Sequence, residues 1–176
     1  MIKWLTRHFC VILFMLLIAI SINRLTAQCN PPEQLPSPMC QDAPLICLLN
    51  SCYETLGIPN SGPSNWCNGS NTIENPQYFL IIPTALTVEI HIHVDGCESG
   101  SSLQAGIMAE CPWGVEDVLA CNGGTQPGGT IILQASGLNP GQPYWLMFDG
   151  SSGALCSYTI AYVEGTYGPG FEGELE

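Results

Sequence analysis

Beyond residue 27 this chain contains no lysine and no arginine. Its three basic residues are Lys3, Arg7 and Arg24, whereas all fifteen Asp and Glu lie further along. That remainder carries a formal charge of −15, set against two histidines, His91 and His93. Such a surface repels phosphate backbones and anionic bilayers, which excludes nucleic-acid binding. It also lacks the cationic groups that usually hold anionic substrates or assist phosphoryl transfer. Intramolecular salt bridges are confined to an N-terminal amine or a charged histidine. No Gly-x-Ser-x-Gly elbow is present for a serine nucleophile, and no Cys-x-x-Cys pair for a structural zinc. Together these absences predict a protein that is not an enzyme.

The basic residues instead fit an export signal. Lys3 and Arg7 form a positive start, and Phe9 to Ile20 is an unbroken apolar run of twelve. That run is too short to cross a bilayer comfortably, so a cleaved signal peptide over 1–27 is the expectation. Leu25 and Ala27 occupy the −3 and −1 positions of a cut before Gln28. Gln28 is a poor residue to precede a lipidated Cys29. The expected location is secreted or cell surface, with no membrane span after cleavage.

Nine cysteines follow residue 27, and in an exported chain they read as a disulfide framework. Spacing does not determine connectivity. The pairs expected are Cys111 to Cys121, joining neighbouring strands, and Cys97 to Cys156, tying a mid-domain loop to the last strand. The odd count leaves one thiol over, assigned to Cys29.

Length fits one domain, since about 150 residues bury close to 70% of the unfolded surface. Residues 28–75 are rich in Cys and Pro and are expected to pack on the domain as a loop-rich segment. Asp42 there is placed as the cap of a short helical turn over 43–49. From Gln77 the apolar period changes to two. Leu86, Val88, Ile90, Ile92 and Val94 alternate with Thr87, Glu89, His91, His93 and Asp95, the pattern of a half-buried antiparallel strand. Further strands are predicted over 78–82, 103–109, 115–120, 130–135, 143–148 and 156–163. Turns are predicted at Asp95-Gly96, Asn122-Gly123-Gly124, Pro127-Gly128-Gly129, Asn139-Pro140-Gly141 and Asp149-Gly150. Many short strands at this spacing predict an all-β, antiparallel, disulfide-stapled β-sandwich or jelly-roll over 76–165, with a linker stub at 166–176.

Some longer stretches carry a family resemblance. Asn75-Pro76-Gln77-Tyr78-Phe79 opens a strand, and Leu103-Gln104-Ala105-Gly106-Ile107-Met108 follows the Cys97 loop. Leu138 to Gly150 reads LNPGQPYWLMFDG, and Cys156 to Ile160 reads CSYTI. This layout resembles bacterial pre-peptidase C-terminal and CUB-like β-sandwiches. With Asp42-Ala43-Pro44-Leu45-Ile46-Cys47 upstream, it is similar in particular to cysteine-rich N-terminal modules of secreted Bacteroidota surface proteins. The resemblance spans roughly residues 40 to 165 and implies a non-catalytic accessory or adhesion module. Members of the narrower group continue into further β-domains and a type IX sorting domain. The departure at Glu176 reads either as a fragment boundary or as another export route.

Three constellations are candidates for chemistry. His91 and His93 share one strand face, so both imidazoles could meet one transition-metal ion with Glu89 or Asp95 beside them; a solvated polar face has the same alternation. Asp95, Glu98 and Asp149 lie in or near predicted loops and could hold calcium, although turn chemistry explains Asp95-Gly96 and Asp149-Gly150 equally well. Trp66, Trp113, Tyr144 and Trp145 could form a glycan-stacking platform or fill the core, with Trp113 the better exposed candidate. The readings left open are a glycan- or protein-binding surface module, a structural spacer in a larger secreted protein, and a metal-dependent enzyme using His91 and His93. No cofactor is expected beyond calcium.

Overall fold

The computed structural model describes residues 35–46, 51–67 and 71–166. They form eight strands: β1 (Cys52–Glu54), β2 (Gln77–Ile81), β3 (Thr87–Cys97), β4 (Leu103–Met108), β5 (Val118–Thr125), β6 (Thr130–Ser136), β7 (Tyr144–Gly150) and β8 (Cys156–Glu164). Helix among the described residues is limited to 3-10 turns of three residues. The sheets have strand orders β1-β8-β3-β6 and β2-β7-β4-β5, and every pairing is antiparallel. In these orders β1 meets β8, β2 meets β7, β3 meets β6 and β4 meets β5. That is one long hairpin rolled up on itself, the jelly-roll arrangement, one of the two all-β architectures expected from the strand spacing.

Period-two alternation fills the space between the sheets. Val88, Ile90, Ile92 and Val94 of β3 point inward with Ile131 and Leu133 of β6. They meet Phe79, Leu103, Ile107, Leu146 and Phe148 of the facing sheet. Phe148 stacks on Tyr158 at 4.2 Å between centroids, and Tyr53 meets Phe79 edge-on at 5.0 Å. Leu86, expected to begin this inward set, precedes β3 and is exposed.

A second core lies on the outer face of β2-β7-β4-β5. Tyr78, Met108 and Met147 point away from the first core and are covered by Cys40, Trp66, Cys67, Ile73 and Trp113. The Pro- and Cys-rich segment forms most of this third layer. It is held by main-chain bridges, Ser37 to Tyr78 and Leu45 to Leu80, along the free edge of β2. Two disulfides, Cys40–Cys111 and Cys67–Cys121, pin it from above. Gly106 lets the cover approach, since a Cβ there would stand 2.7 Å from the Trp66 ring and 3.0 Å from the Ala120 carbonyl oxygen.

The expected Cys111–Cys121 bridge is therefore corrected. Cys121 pairs in register with Gly106, beneath the cover, and both cysteines reach up to that layer rather than across to each other. Cys97–Cys156 is present as expected, between Cα partners of β3 and β8. Cys52 is disulfide-bonded as well. Cys29, expected to be left over, lies outside the described residues.

Several local expectations also change. Asp95-Gly96 does not turn: β3 continues through it to Cys97, with a register shift between Val94 and Gly96 that absorbs the extra residue. Asn122-Gly123-Gly124 lies within β5, and Asp149-Gly150 ends β7. The strand predicted from Val115 begins at Val118, after a 3-10 turn over Val115–Asp117. Of the helical turn expected over 43–49, residues 47–49 lie outside the described residues; before it a 3-10 turn spans Cys40–Asp42, and Leu45 is already extended against Leu80. β1 was not predicted; its three residues carry too short a pattern to register.

Candidate functional site

Among the described residues one sandwich face is covered and the other is open. On β1-β8-β3-β6 the outward residues of β3 are Thr87, Glu89, His91, His93 and Asp95, as alternation predicts. The register places His91 beside Ile132 of β6, Glu89 between Gln134 and Glu164, and His93 between Thr130 and Thr159. Glu89 is central to this row. One carboxylate oxygen lies 2.5 Å from His91 Nε2, and the other accepts from Gln134 Nε2 at 2.5 Å. The Gln134 contact, followed by that of His91, holds the Glu89 carboxyl below the usual glutamate range. Its ionised form is thus favoured on the open face.

The two histidines share a face but sit in separate pairs. His93 Nε2 is 3.9 Å from Asp95 Oδ1, while Asp95 Oδ2 accepts the Thr159 hydroxyl at 2.8 Å. Among the described residues no group of three His, Cys, Asp or Glu side chains converges as a metal would require. The arrangement is a polar strip of donors and acceptors in one plane.

The carboxylates suggested for calcium are not brought together. Asp95 and Glu98 are exposed on the open side, and Glu98 Oε2 accepts from the Leu155 N–H at 3.4 Å. Asp149 is fully buried on the opposite side, under the cover. Its Oδ1 accepts from the backbone N–H groups of Asn75, at 2.8 Å, and Glu74, at 3.3 Å. Its Oδ2 accepts from Gln104 Nε2 at 3.2 Å, and Gln104 Oε1 receives the Trp66 indole N–H at 3.3 Å. Burial pushes the Asp149 pKa up to about 7, opposed by the Asn75 N–H and reinforced by nearby Glu74. The group clamps the cover to β7 and does not line an accessible site.

Trp113, proposed as an exposed stacking residue, is 9% exposed, and its indole N–H donates to the Tyr78 hydroxyl at 3.1 Å. It packs edge-on against Trp66 at 6.2 Å between centroids. Tyr144 and Trp145 point to opposite faces as expected. Tyr144 belongs to the inner core, and Trp145 packs against the cover with its N–H on the Cys40 carbonyl at 2.8 Å. The tryptophans named from the sequence are thus largely spent on structure.

Sequence reasoning missed Gln134 and Glu164 as neighbours of Glu89. Alternation in β6 places Gln134 outward, but only the sheet order brings it and Glu164 to either side of Glu89. Together with Thr87 and Ser136 these three line an open concavity of about 480 Å³. No protein-family model and no curated protein sequence matches this chain.

Proposed function

We propose that the chain is a secreted, non-catalytic binding module that meets a cell-surface glycan or protein through the outer face of β1-β8-β3-β6. The observation carrying this reading is the asymmetry of the two sheets. One outer face is covered by a disulfide-pinned aromatic layer, while on the other no described segment covers Glu89, His91, His93 and Asp95. The bridges support an oxidising compartment. The signal-like start supports export. The jelly-roll order agrees with an accessory or adhesion module of the pre-peptidase C-terminal or CUB-like kind, though many unrelated functions share such folds. Separation of the two histidines into carboxylate pairs favours recognition over metal-dependent hydrolysis.

Fluorescently labelled protein probed against arrayed glycans and immobilised cell-surface proteins tests this. The triple variant Glu89→Gln, His91→Ala, His93→Ala should lose about tenfold in affinity for whatever the parent binds. Undiminished binding by that variant would remove the face from consideration. Failure of the parent to bind any arrayed ligand would favour a structural spacer.

A further inference from the structure

The disulfides also shorten the covalent route through the molecule. Followed residue by residue, Leu35 to Thr166 is 131 steps. Cys40–Cys111 and Cys97–Cys156 interlock, since Cys97 lies within the loop closed by the first bridge and Cys111 within the loop closed by the second. A second route runs from Leu35 to Cys40, across to Cys111, back along the chain to Cys97, across to Cys156 and on to Thr166. Its three stretches take five, fourteen and ten steps, 29 in all. The bridge of Cys52 leaves this an upper bound, because an added cross-link can only shorten the shortest route.

A pull on the two ends of the chain draws the shortest covalent route taut. That route contains 35–40, 97–111 and 156–166, whereas 41–96 and 112–155 are side loops whose ends are already joined by fewer steps. The strands on the route are β4 and β8. Both are interior strands, β4 between β5 and β7 and β8 between β1 and β3, so each is held by a ladder along both edges. Cys97 and Cys156 are directly opposed on β3 and β8, so the second crossing passes straight into the ladder that holds β8.

The open face stands almost wholly off this route. Glu89, His91, His93 and Asp95 lie in the first side loop, and Ile132 and Gln134 in the second. We propose that the module is a tension-carrying link: a pull between the chain on its two sides passes through β4 and β8, releases little length, and leaves β6 and the face-bearing part of β3 unstretched. Drawn fully straight, 35–166 reaches about 11 nm by the bridged route, against about 46 nm along the whole chain. The proposal goes beyond the binding-module reading and needs no ligand.

Single-molecule stretching of the full chain, held by handles at its two ends, tests it. The readout is the final extension at high force, for oxidised protein and then in a thiol reductant. Oxidised protein should stop about 35 nm short of the reduced chain. The double variant Cys97→Ser, Cys156→Ser should extend about 10 nm further than the oxidised parent. The double variant Cys67→Ser, Cys121→Ser removes a bridge off the route and should add no length. Full extension depends on which bridges are closed and not on how stably a variant folds, and peptide mapping of each oxidised protein identifies those bridges. Oxidised parent extending as far as the reduced chain overturns the proposal. So does a Cys67/Cys121 variant that lengthens as much as the Cys97/Cys156 variant. Neither outcome touches the array experiment, so the tether and the binding-module reading stand or fall separately.

Discussion

The two outer faces of this sandwich begin from the same strand alternation and end in opposite states. On β2-β7-β4-β5 the outward positions are Tyr78, Gln104, Gly106, Met108, Met147 and Asp149, apolar or hydrogen-bonded, and a third layer covers them. On β1-β8-β3-β6 they are Glu89, His91, His93, Ile132 and Gln134, and no described segment covers them. The difference is made by side chains that cannot remain in water cheaply: tryptophans and methionines recruit a cover, whereas carboxylates and imidazoles do not. The second core and the disulfides Cys40–Cys111 and Cys67–Cys121 therefore lie on one side, and the face we propose for recognition lies on the other.

That contrast can be broken most directly at the bridges. Replacing Cys40 with Cys111, or Cys67 with Cys121, by serine frees loops spanning sequence separations of 71 and 54 residues. Each pair should cost about 4 kcal/mol in denaturant unfolding. A much smaller loss would mean that the cover holds by packing alone.

The next effect comes from Asp149. Its pKa in the folded chain is about 7, above its ordinary carboxylate value of 3.8. The stability associated with its protonation is fully present below about pH 3.8 and is lost as pH rises through about 7. Between pH 5 and 8 this group should therefore withdraw on the order of 2 kcal/mol, loosening the clamp between the cover and β7. Comparing melts of the parent and Asp149→Asn across that range isolates the effect, because the variant lacks the titrating group. Parallel pH profiles for the two proteins would show that the buried carboxylate is already ionised.

The smallest change in stability is expected on the open face. Glu89→Gln and His91→Ala should leave the melting midpoint within about 2 °C of the parent. A large drop in either would mean that the strip is structural, weakening its assignment to recognition.

Much of the inner architecture was legible because period-two alternation is local. Leu86 to Asp95 predicted which β3 side chains face the core, erring only at Leu86, and the spacing of strands and glycines predicted a sandwich or jelly-roll. Turn chemistry was legible only in part. Asp95-Gly96 and Asp149-Gly150 have turn composition, but the ladders of β8 and β4 run through them. The candidate site was half legible: His91 and His93 do share a face, while their separate carboxylate partners depend on side-chain placement.

By itself the sequence determined the all-β class, the alternation of the strands and the absence of Lys and Arg beyond Arg24, which follow from composition and period. The Cys97–Cys156 pairing was an expectation that spacing could not determine and that the structure bears out. Only the tertiary structure decided that Cys111 and Cys121 part company, and that Trp113 is buried and Asp149 inaccessible. Those outcomes depend on a third layer folding over one sheet and not the other. Its contacts join residues far apart in the chain, beyond the reach of any local pattern.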